Sequence, residues 1–331
     1  MHEATDSTAL TRLRDAEPYR DRLAADVRAG LAGPHRSLPP IHLYDARGSV
    51  LFERITELDE YYPTRAELSI LDVHLDGLLA GVQPDEVLEI GSGSARKAAL
   101  LVDAMQRVGA TRYVPFDISA SALLDAAAHL RAAHPWLEVD PYLGDFHLDL
   151  QAIPRRGRRL VAFLGSTIGN LAPGERAQLL ADFAAILGPD GALLLGIDLV
   201  KSVEVLEVAY DDAAGVTAAF NRNVLEVINR ELGGDIPVDA FDHRAVWDPS
   251  AEAIEMHLVA TRDVHAHIGG VGLELTMAAG EFILTEHSHK FRIDPFRDEL
   301  AATGLALTEV VTDAEERFAV VLARRSDRGG G

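Results

Sequence analysis

Short apolar runs alternate with segments of helical periodicity over residues 86–197, and this alternation restricts the possible folds more than any other feature of the chain. Parallel strands need crossover connections, so strand–helix repetition predicts a mainly parallel sheet with helices on both faces. We therefore expect an α/β fold. The predicted strands cover 86–90, 112–116, 137–143, 160–164 and 192–197, and the predicted helices cover 94–108, 119–133 and 173–187.

The pattern differs on both sides of this segment. Upstream, helical spacing covers 10–32, and a capping-box pattern at Thr64 and Glu67 predicts a helix that runs to about residue 79. Downstream, we expect one long helix or two abutting helices over 204–231, antiparallel strands at 254–261, 273–278 and 282–288, a helix at 295–302, and strands at 305–311 and 318–323. The simplest division is a discontinuous domain of residues 65–200 and 290–331, with a second, smaller α+β domain formed by residues 1–64 and 201–289.

Composition excludes several classes of function. The chain has 331 residues and a formal net charge of −21, which argues against binding to nucleic acids or anionic membranes. It contains no cysteine, so disulfides, thiolate nucleophiles and cysteine-ligated zinc are excluded. It has no apolar run of about 18 residues and no apolar signal core at its start, so we expect a cytoplasmic protein. We also expect a monomer, because the charge opposes self-association.

A glycine-containing turn, Gly91-Ser-Gly93, follows the first predicted strand. The third glycine of a nicotinamide-dinucleotide fingerprint is replaced by Arg96, and the spacing does not fit a P-loop, so neither motif is complete. The turn resembles motif I of the class I S-adenosylmethionine (AdoMet)-dependent methyltransferases. Asp117 and Asp145 end the next two strands, where that resemblance implies contacts to the ribose and the adenine. The open alternative is a tight turn with acids that cap the following helices.

Longer stretches narrow the resemblance. They are 38–40, 43–46, Glu60-Tyr-Tyr-Pro-Thr-Arg65, 89–94, Phe163-Leu-Gly-Ser-Thr-Ile-Gly-Asn-Leu171, 209–223 and 284–292. Together they resemble the histidine-specific N-alpha-methyltransferases of ergothioneine biosynthesis, from about residue 20 to the end of the chain. The resemblance implies a Rossmann-like AdoMet domain and trimethylation of the α-amino group of L-histidine to hercynine, by way of the mono- and dimethyl intermediates. S-adenosylhomocysteine is the implied second product, and no metal is expected.

The resemblance also implies a set of site residues. AdoMet contacts fall on Gly91, Lys97, Asp117, Asp145 and Phe146, and histidine contacts fall on Tyr61, Asn170, Tyr210, Met256, Glu286 and Ser288. Asn170 and Tyr44, which matches a tyrosine near the imidazole, are the candidate catalytic residues. His287 and His289 occupy positions where members of the family have Val and Cys; in a strand they face away from 286 and 288.

The residue types suit this chemistry, although each has a structural alternative. Asn170 can accept a hydrogen bond from the substrate nitrogen, or it is only a turn residue. The hydroxyls of Tyr61 and Tyr210 can donate to a carboxylate, or both rings only pack in the core. Glu286 can accept an imidazole N–H, which would reject amino acids without that donor; otherwise it lies on a solvated strand face.

Two histidine pairs raise the question of a metal. His265 and His267, like His287 and His289, each alternate on one strand face. Edge-strand histidines are more common than metal ligands, and methyl transfer needs no metal, so we predict none. Two other functions stay open: methylation of a different amino acid or amine, and AdoMet binding without catalysis.

Overall fold

The computed structural model describes residues 10–13, 19–92 and 95–326. The helices are α1 Tyr19–Leu31, α2 Ala46–Thr56, α3 Tyr62–Val82, α4 Ala95–Val108, α5 Ala120–Ala133, α6 Pro173–Leu187, α7 Val203–Tyr210, α8 Val216–Leu232 and α9 Ile293–Ala302. The strands are β1 Thr11–Arg12, β2 Arg36–Ser37, β3 Glu86–Ile90, β4 Arg112–Asp117, β5 Glu138–Val139, β6 Tyr142–Leu143, β7 Arg159–Phe163, β8 Ala192–Asp198, β9 Phe241–Asp248, β10 Ala253–Ala260, β11 Val264–Ile268, β12 Leu273–Met277, β13 Phe282–His289, β14 Leu305–Thr312 and β15 Phe318–Arg325.

The described residues divide into two compact units. Unit 1 is drawn from Met1–Asp15, Ala66–Leu199 and Phe291–Gly331, and unit 2 from Ala16–Arg65 and Val200–Lys290. Each unit is therefore assembled from segments that are separated in the sequence. That residues 65–200 and 290–331 form an AdoMet-binding domain and residues 1–64 and 201–289 a domain that binds the amino acid stays a prediction.

Unit 1 is built on a mainly parallel sheet with the strand order β1-β6-β4-β3-β7-β8-β15-β14, and β5 pairs with β4. The pairs from β1 to β8 are parallel, whereas β15 runs antiparallel to both β8 and β14. Every residue of β3, β7 and β8 is buried, as expected for strands covered on both faces. The predicted α/β fold with a Rossmann-like sheet is confirmed.

Unit 2 combines a four-stranded sheet, β2-β13-β10-β9, with a separate β11-β12 hairpin. Strand β10 runs antiparallel to both β13 and β9. The long helix α8 packs against β9, β10 and α2. Helices α7 and α8 are separate because Gly215 turns the chain with a φ of +71°, and the Asp212 carboxylate accepts the backbone N–H groups of Val216 and Thr217.

Several sequence predictions are wrong in detail. Within the predicted helix 10–32, Thr11–Arg12 form β1 and the described helix α1 covers Tyr19–Leu31. The predicted strand 137–143 is divided into β5 and β6 at Pro141, which has no N–H to donate. Strand β9 was not predicted, because its buried face carries His243 among the apolar residues, and β11 was anticipated only through the alternation of His265 and His267. Among the described helices, none is both long and apolar enough to cross a membrane.

Candidate functional site

The first group of predicted site residues lies in unit 1, at the carboxyl edge of the parallel sheet. Gly91 follows β3, Asp117 ends β4, Asp145 follows β6 and Asn170 follows β7. The strand order reverses at β3, since β4 lies on one side of it and β7 on the other. Ligands of open α/β sheets bind outside the carboxyl ends of the strands at such a reversal.

Gly91 allows the chain to turn sharply away from β3. Its φ is +74°, and its N–H donates to the Phe116 carbonyl at 2.9 Å. A Cβ at this position would meet no atom of the described residues within 4 Å, so these residues leave space beside the turn. The predicted motif continues into Gly93 and Ser94, which lie outside the described residues.

The carboxylates of Asp117 and Asp145 each accept a backbone hydrogen bond from the loop in which they lie. The Asp117 carboxylate accepts the Ser119 N–H at 2.8 Å, and the Asp145 carboxylate accepts the His147 N–H at 2.9 Å. The residue that caps α5 is Ser119, so the alternative in which Asp117 caps this helix is wrong. Burial raises the pKa of Asp117, with backbone hydrogen bonds opposing the shift. This half-buried carboxylate is suited to accept hydrogen bonds from hydroxyl groups.

Phe146 lies beside these acids. Its ring is half-buried, and its centroid is 5.7 Å from that of Phe163 at the end of β7. The ring therefore offers a flat apolar surface at the same edge of the sheet.

Lys97 forms an ion pair with Glu67, which the sequence pattern had predicted as part of a helix-capping box. Its Nζ lies 3.1 Å from Glu67 on α3, and Glu67 also accepts the Gly165 N–H at 2.6 Å. Glu67 is only 1% exposed, and a Cβ at Gly196 would collide with it. Helix α3 begins at Tyr62, so the capping-box role predicted for Glu67 is wrong. Glu67 instead joins α3, α4 and the loop after β7.

Asn170 ends the 3₁₀ turn Thr167–Asn170 in that same loop. Ser166, which precedes the turn, adopts a left-handed φ of 56°, and its hydroxyl accepts the Asp198 N–H at 2.9 Å. The loop is therefore held to the neighbouring strand β8. Whether Asn170 is a ligand or only a turn residue stays open.

Glu89, near the end of β3, is a buried acid that belongs to the family-like stretch 89–94, although no ligand contact was predicted for it. The Tyr113 hydroxyl donates to it. Burial raises the pKa of Glu89 to about 7, although Tyr113 and Lys97 oppose the shift.

The second group of predicted residues lies in unit 2, on one face of the β10–β13 pair. Met256 lies opposite Glu286, and Ile254 lies opposite Ser288. Residues directly opposite in an antiparallel pair point to the same face, so the three predicted side chains share a surface. These three are buried, whereas Glu255, on the other face, is only half-buried.

His287 and His289 point to the other face, as the alternation predicts. His287 Nδ1 is 3.6 Å from Glu255, and His289 Nδ1 donates to the Ala251 carbonyl at 3.0 Å. Their half-buried rings stack on each other with centroids 5.9 Å apart. Among the residues that the structure describes, no group of three or more side chains could hold a metal ion.

Glu286 is the most unusual residue of this face. It is 7% exposed, so the alternative of a solvated strand face is wrong. Burial raises its pKa to about 7, and the positive charge of Lys290 partly offsets the shift. No other residue in the described part of the chain donates a hydrogen bond to its carboxylate. A buried carboxylate without a protein donor favours the binding of a ligand that has an N–H or O–H group.

Tyr210, Ser288 and Lys290 form a hydrogen-bonded triangle next to Glu286. The Lys290 ammonium donates to the Tyr210 hydroxyl and to the Ser288 hydroxyl, both at 2.8 Å, and the two hydroxyls are 2.8 Å apart. All three residues are buried. Tyr210 and Ser288 were predicted as site residues, whereas Lys290 was not, although it is one of only three lysines in the chain.

Aromatic rings pack around the same residues. The Tyr44 ring meets Phe52 and Phe220 edge-on, with centroids 5.3 and 5.2 Å away, and the Tyr61 ring meets Tyr210 at 6.0 Å. Tyr44 is 40% exposed as a whole. The pKa of its hydroxyl is nevertheless raised well above the ordinary value, by burial first and by the negative charge of Glu286 second.

A buried polar network contacts the backbone of Tyr210. The His243 ring donates from Nε2 to the Tyr210 carbonyl at 2.7 Å and accepts from Asn221 at its Nδ1, 2.9 Å away. The Asn221 oxygen in turn accepts the Thr285 hydroxyl at 2.6 Å. Burial lowers the pKa of His243, so that the neutral ring required by this pattern is favoured. The network ties the end of α7 to β13.

The loops of unit 1 fit AdoMet on three observations. Gly91 leaves open space at the strand-order reversal, Asp117 offers a half-buried acceptor that is held by local backbone groups, and Phe146 offers a flat ring. Hydroxyl donors and an aromatic base are the features that such a set recognises.

Comparison with known proteins agrees with this chemistry. Residues 23–325 match the family model described as "Histidine-specific methyltransferase, SAM-dependent". Histidine N-alpha-methyltransferase from Mycolicibacterium smegmatis is 49% identical over 94% of this chain and 97% of its own length, and that from Mycobacterium tuberculosis is 47% identical over 92% and 95%. Ergothioneine biosynthesis protein 1 from Schizosaccharomyces pombe is 30% identical over 69% of this chain and 31% of its own length.

Proposed function

The chain belongs to the family of histidine-specific, SAM-dependent methyltransferases, and from that premise we propose that it methylates the α-amino nitrogen of L-histidine three times, giving hercynine. The observation that carries the proposal is the Glu286 carboxylate, which is buried on one strand face with Met256 and Ser288 and accepts no hydrogen bond from the described residues. An imidazole N–H supplies the donor that this acceptor lacks.

The substrate amine must be neutral when it reacts, whereas the α-amino group of a free amino acid is mostly protonated at pH 7. When bound, AdoMet supplies a methyl group on a sulfonium centre, which is open to in-line displacement. In the first two transfers the amide oxygen of Asn170 accepts a hydrogen bond from the substrate nitrogen, which turns the nitrogen lone pair to a fixed direction. The neutral dimethylamine of the third transfer has no N–H for this contact.

The two ends of histidine are assigned to different groups of unit 2. The hydroxyls of Tyr61 and Tyr210 donate to the substrate carboxylate, because a phenol can donate without adding charge. Glu286 accepts one ring N–H, and Tyr44 and Ser288 offer hydroxyls to the rest of the imidazole. Met256, which is 2% exposed, closes the same face with an apolar surface. An amino acid without a ring N–H leaves Glu286 buried and unpaired, so it is rejected.

Three transfers require a pocket that accepts an amine, then its methylated forms, and finally a quaternary ammonium. Tyr44, Phe220 and Tyr61 offer the aromatic faces that hold such a cation. The edge-on contact of Tyr44 with Phe220 fixes the direction in which the Tyr44 face points.

In unit 1, Asp117 is assigned to the ribose hydroxyls, Asp145 and Phe146 to the adenine, and Gly91 and Lys97 to the remaining AdoMet contacts. The ion pair between Lys97 and Glu67 keeps the ammonium at the carboxyl edge of the sheet. A cytoplasmic location and a monomeric state stay predictions from the sequence.

The experiment that tests this function is mass spectrometry of the purified protein incubated with AdoMet and a mixture of all common amino acids. We expect mono-, di- and trimethylation of histidine alone. Methylation of a different amino acid would keep the cofactor and overturn the role of Glu286. Binding of AdoMet without methylation of any amino acid would contradict the proposal and favour a non-catalytic relative.

A further inference from the structure

Lys290 is the one residue of the unit 2 triangle to which the proposed function gives no role. It follows β13 directly and is 4% exposed. An ammonium that is removed from water loses much hydration energy, so a buried lysine needs strong local compensation. Hydrogen bonds to the Tyr210 and Ser288 hydroxyls, both at 2.8 Å, supply part of it.

The position of Lys290 acts on Tyr210 in two ways. The ammonium donates to the phenol oxygen, and its Nζ stands 4.5 Å from the centroid of the same ring. An ammonium has donors only, so the Tyr210 O–H must point away from it. A donor whose oxygen already accepts from a cation forms stronger hydrogen bonds to an anion.

The pocket also has a charge pattern that follows the two ends of an amino acid. Lys290 places a positive charge between Tyr210, which is assigned to the substrate carboxylate, and Ser288, whereas Glu286 places a carboxylate at the position assigned to the imidazole. Lys290 is close enough to Glu286 to lower the pKa of that carboxyl against the effect of burial. Opposite charges at the two ends fix the orientation in which histidine binds.

We infer that Lys290 is a positioning residue that makes the enzyme select substrates with a free α-carboxylate, by directing and strengthening the Tyr210 hydroxyl as a donor to that carboxylate. The inference rests on the proposed function and deepens it. In this inference Lys290 contributes to substrate selection through Tyr210, without contacting the substrate itself.

The test compares L-histidine with L-histidinamide, which replaces the carboxylate with a neutral amide, in the wild-type protein and in Lys290→Met. Methionine is similar in length and apolar, and the Tyr210 and Ser288 hydroxyls still pair with each other at 2.8 Å. We expect kcat/KM for histidine to fall about 100-fold, mainly through KM, and kcat/KM for histidinamide to change by less than about threefold. The preference for the carboxylate should therefore almost disappear.

Lys201→Met is the matched control. Lys201 also donates to a tyrosine hydroxyl, that of Tyr62 at 2.6 Å, and its Nζ is likewise 4.5 Å from the ring centroid. Tyr62 has no assigned substrate contact, so this substitution should change both substrates by the same factor. Lys290→Arg, which keeps the charge, should restore part of the preference for histidine.

The outcomes separate this inference from the proposed function. If the wild-type protein does not methylate histidine, the proposed function fails. If it does, but Lys290→Met lowers kcat/KM for histidine and histidinamide equally, Lys290 has only a structural role and the inference is overturned. If Lys290→Met does not fold, the comparison of Lys290→Arg with the wild type decides: an unchanged ratio of the two substrates would overturn the inference, because arginine cannot reproduce the two 2.8 Å contacts of a compact ammonium.

Discussion

The two candidate acids of unit 1 are held by local contacts, whereas the candidate residues of unit 2 are held by contacts between distant parts of the chain. Asp117 and Asp145 each bond to a backbone N–H two residues further on. Tyr210 and Ser288 are 78 residues apart. The local group recurs at successive strand ends, whereas the distant group exists only when β10, β13 and α7 have assembled.

This difference suggests how the two ligands are recognised. A nucleoside is bound by loops that follow a repeated strand–helix unit, so such a site can be shared by many enzymes of the same fold. In the proposed function an amino-acid side chain is selected by buried groups from several elements, which come together only in the folded chain. We expect substitutions in the two groups to act on different ligands.

The largest effect is expected for Glu286→Ala. We expect kcat/KM for histidine to fall about 100-fold through the loss of a charge-assisted hydrogen bond, and AdoMet affinity to change by less than about twofold. Steady-state kinetics and calorimetric titration with AdoMet measure the two quantities. Glu255→Ala, on the other face of the same sheet, is the control and should leave both nearly unchanged. Equal losses for both ligands would mean that the two groups do not act separately.

Asp117→Ala should show the reverse pattern. We expect its AdoMet dissociation constant to rise about 30-fold, because hydroxyl donors lose a charged acceptor, and its preference for histidine over other amino acids to stay as in the wild type. Calorimetry and a competition assay measure these changes. Asp103→Ala, an exposed substitution on α4, is the matched control. Unchanged AdoMet affinity in Asp117→Ala would remove this residue from the cofactor site.

Glu67→Gln tests a long-range contact within unit 1. Lys97 would lose its buried counter-charge, so we expect the free energy of unfolding in urea to fall by about 2 kcal/mol. In the double variant with Lys97→Met the two losses should not add, because they remove the same ion pair. Additive losses would show that Glu67 acts independently of Lys97.

The smallest effect concerns pH. The pKa of Glu286 is about 7, and its ionised form is the better acceptor for an imidazole N–H. Between about pH 8 and about pH 6 the ionised fraction falls from about 0.9 to about 0.1, so histidine affinity should weaken about tenfold beyond the substrate's own titration. The ratio of affinities in the wild type and in Glu286→Gln, measured by calorimetry, isolates this effect. A ratio that is constant over this range would exclude a titrating Glu286.

The sequence alone predicts the parallel sheet well, since each strand and helix of that sheet has its own periodic signal. The family resemblance is confirmed by the match over residues 23–325. Strand β9 was missed because its buried face carries the polar residue His243 between Phe241 and Ala245, which weakens its apolar alternation.

Less of the candidate site than of the fold could be predicted from the sequence. The alternation of Glu286 and Ser288 predicts that they share a face, but only the register with β10 shows that Met256 lies opposite Glu286. The role of Glu67 was mistaken because a local capping pattern competes with a contact 98 residues away, at Gly165. Lys290 gave one signal that was not used: it is one of three lysines in a chain with 31 basic residues.

Selection of the substrate by its ring can be measured with histidine and 3-(thiazol-4-yl)alanine, whose ring is similar in size but has no N–H. We expect the wild-type protein to prefer histidine by at least about 100-fold in kcat/KM, and Glu286→Ala to reduce this preference to within a few fold. A preference that is equally large in Glu286→Ala would contradict the claim that the buried carboxylate selects the substrate through its imidazole N–H.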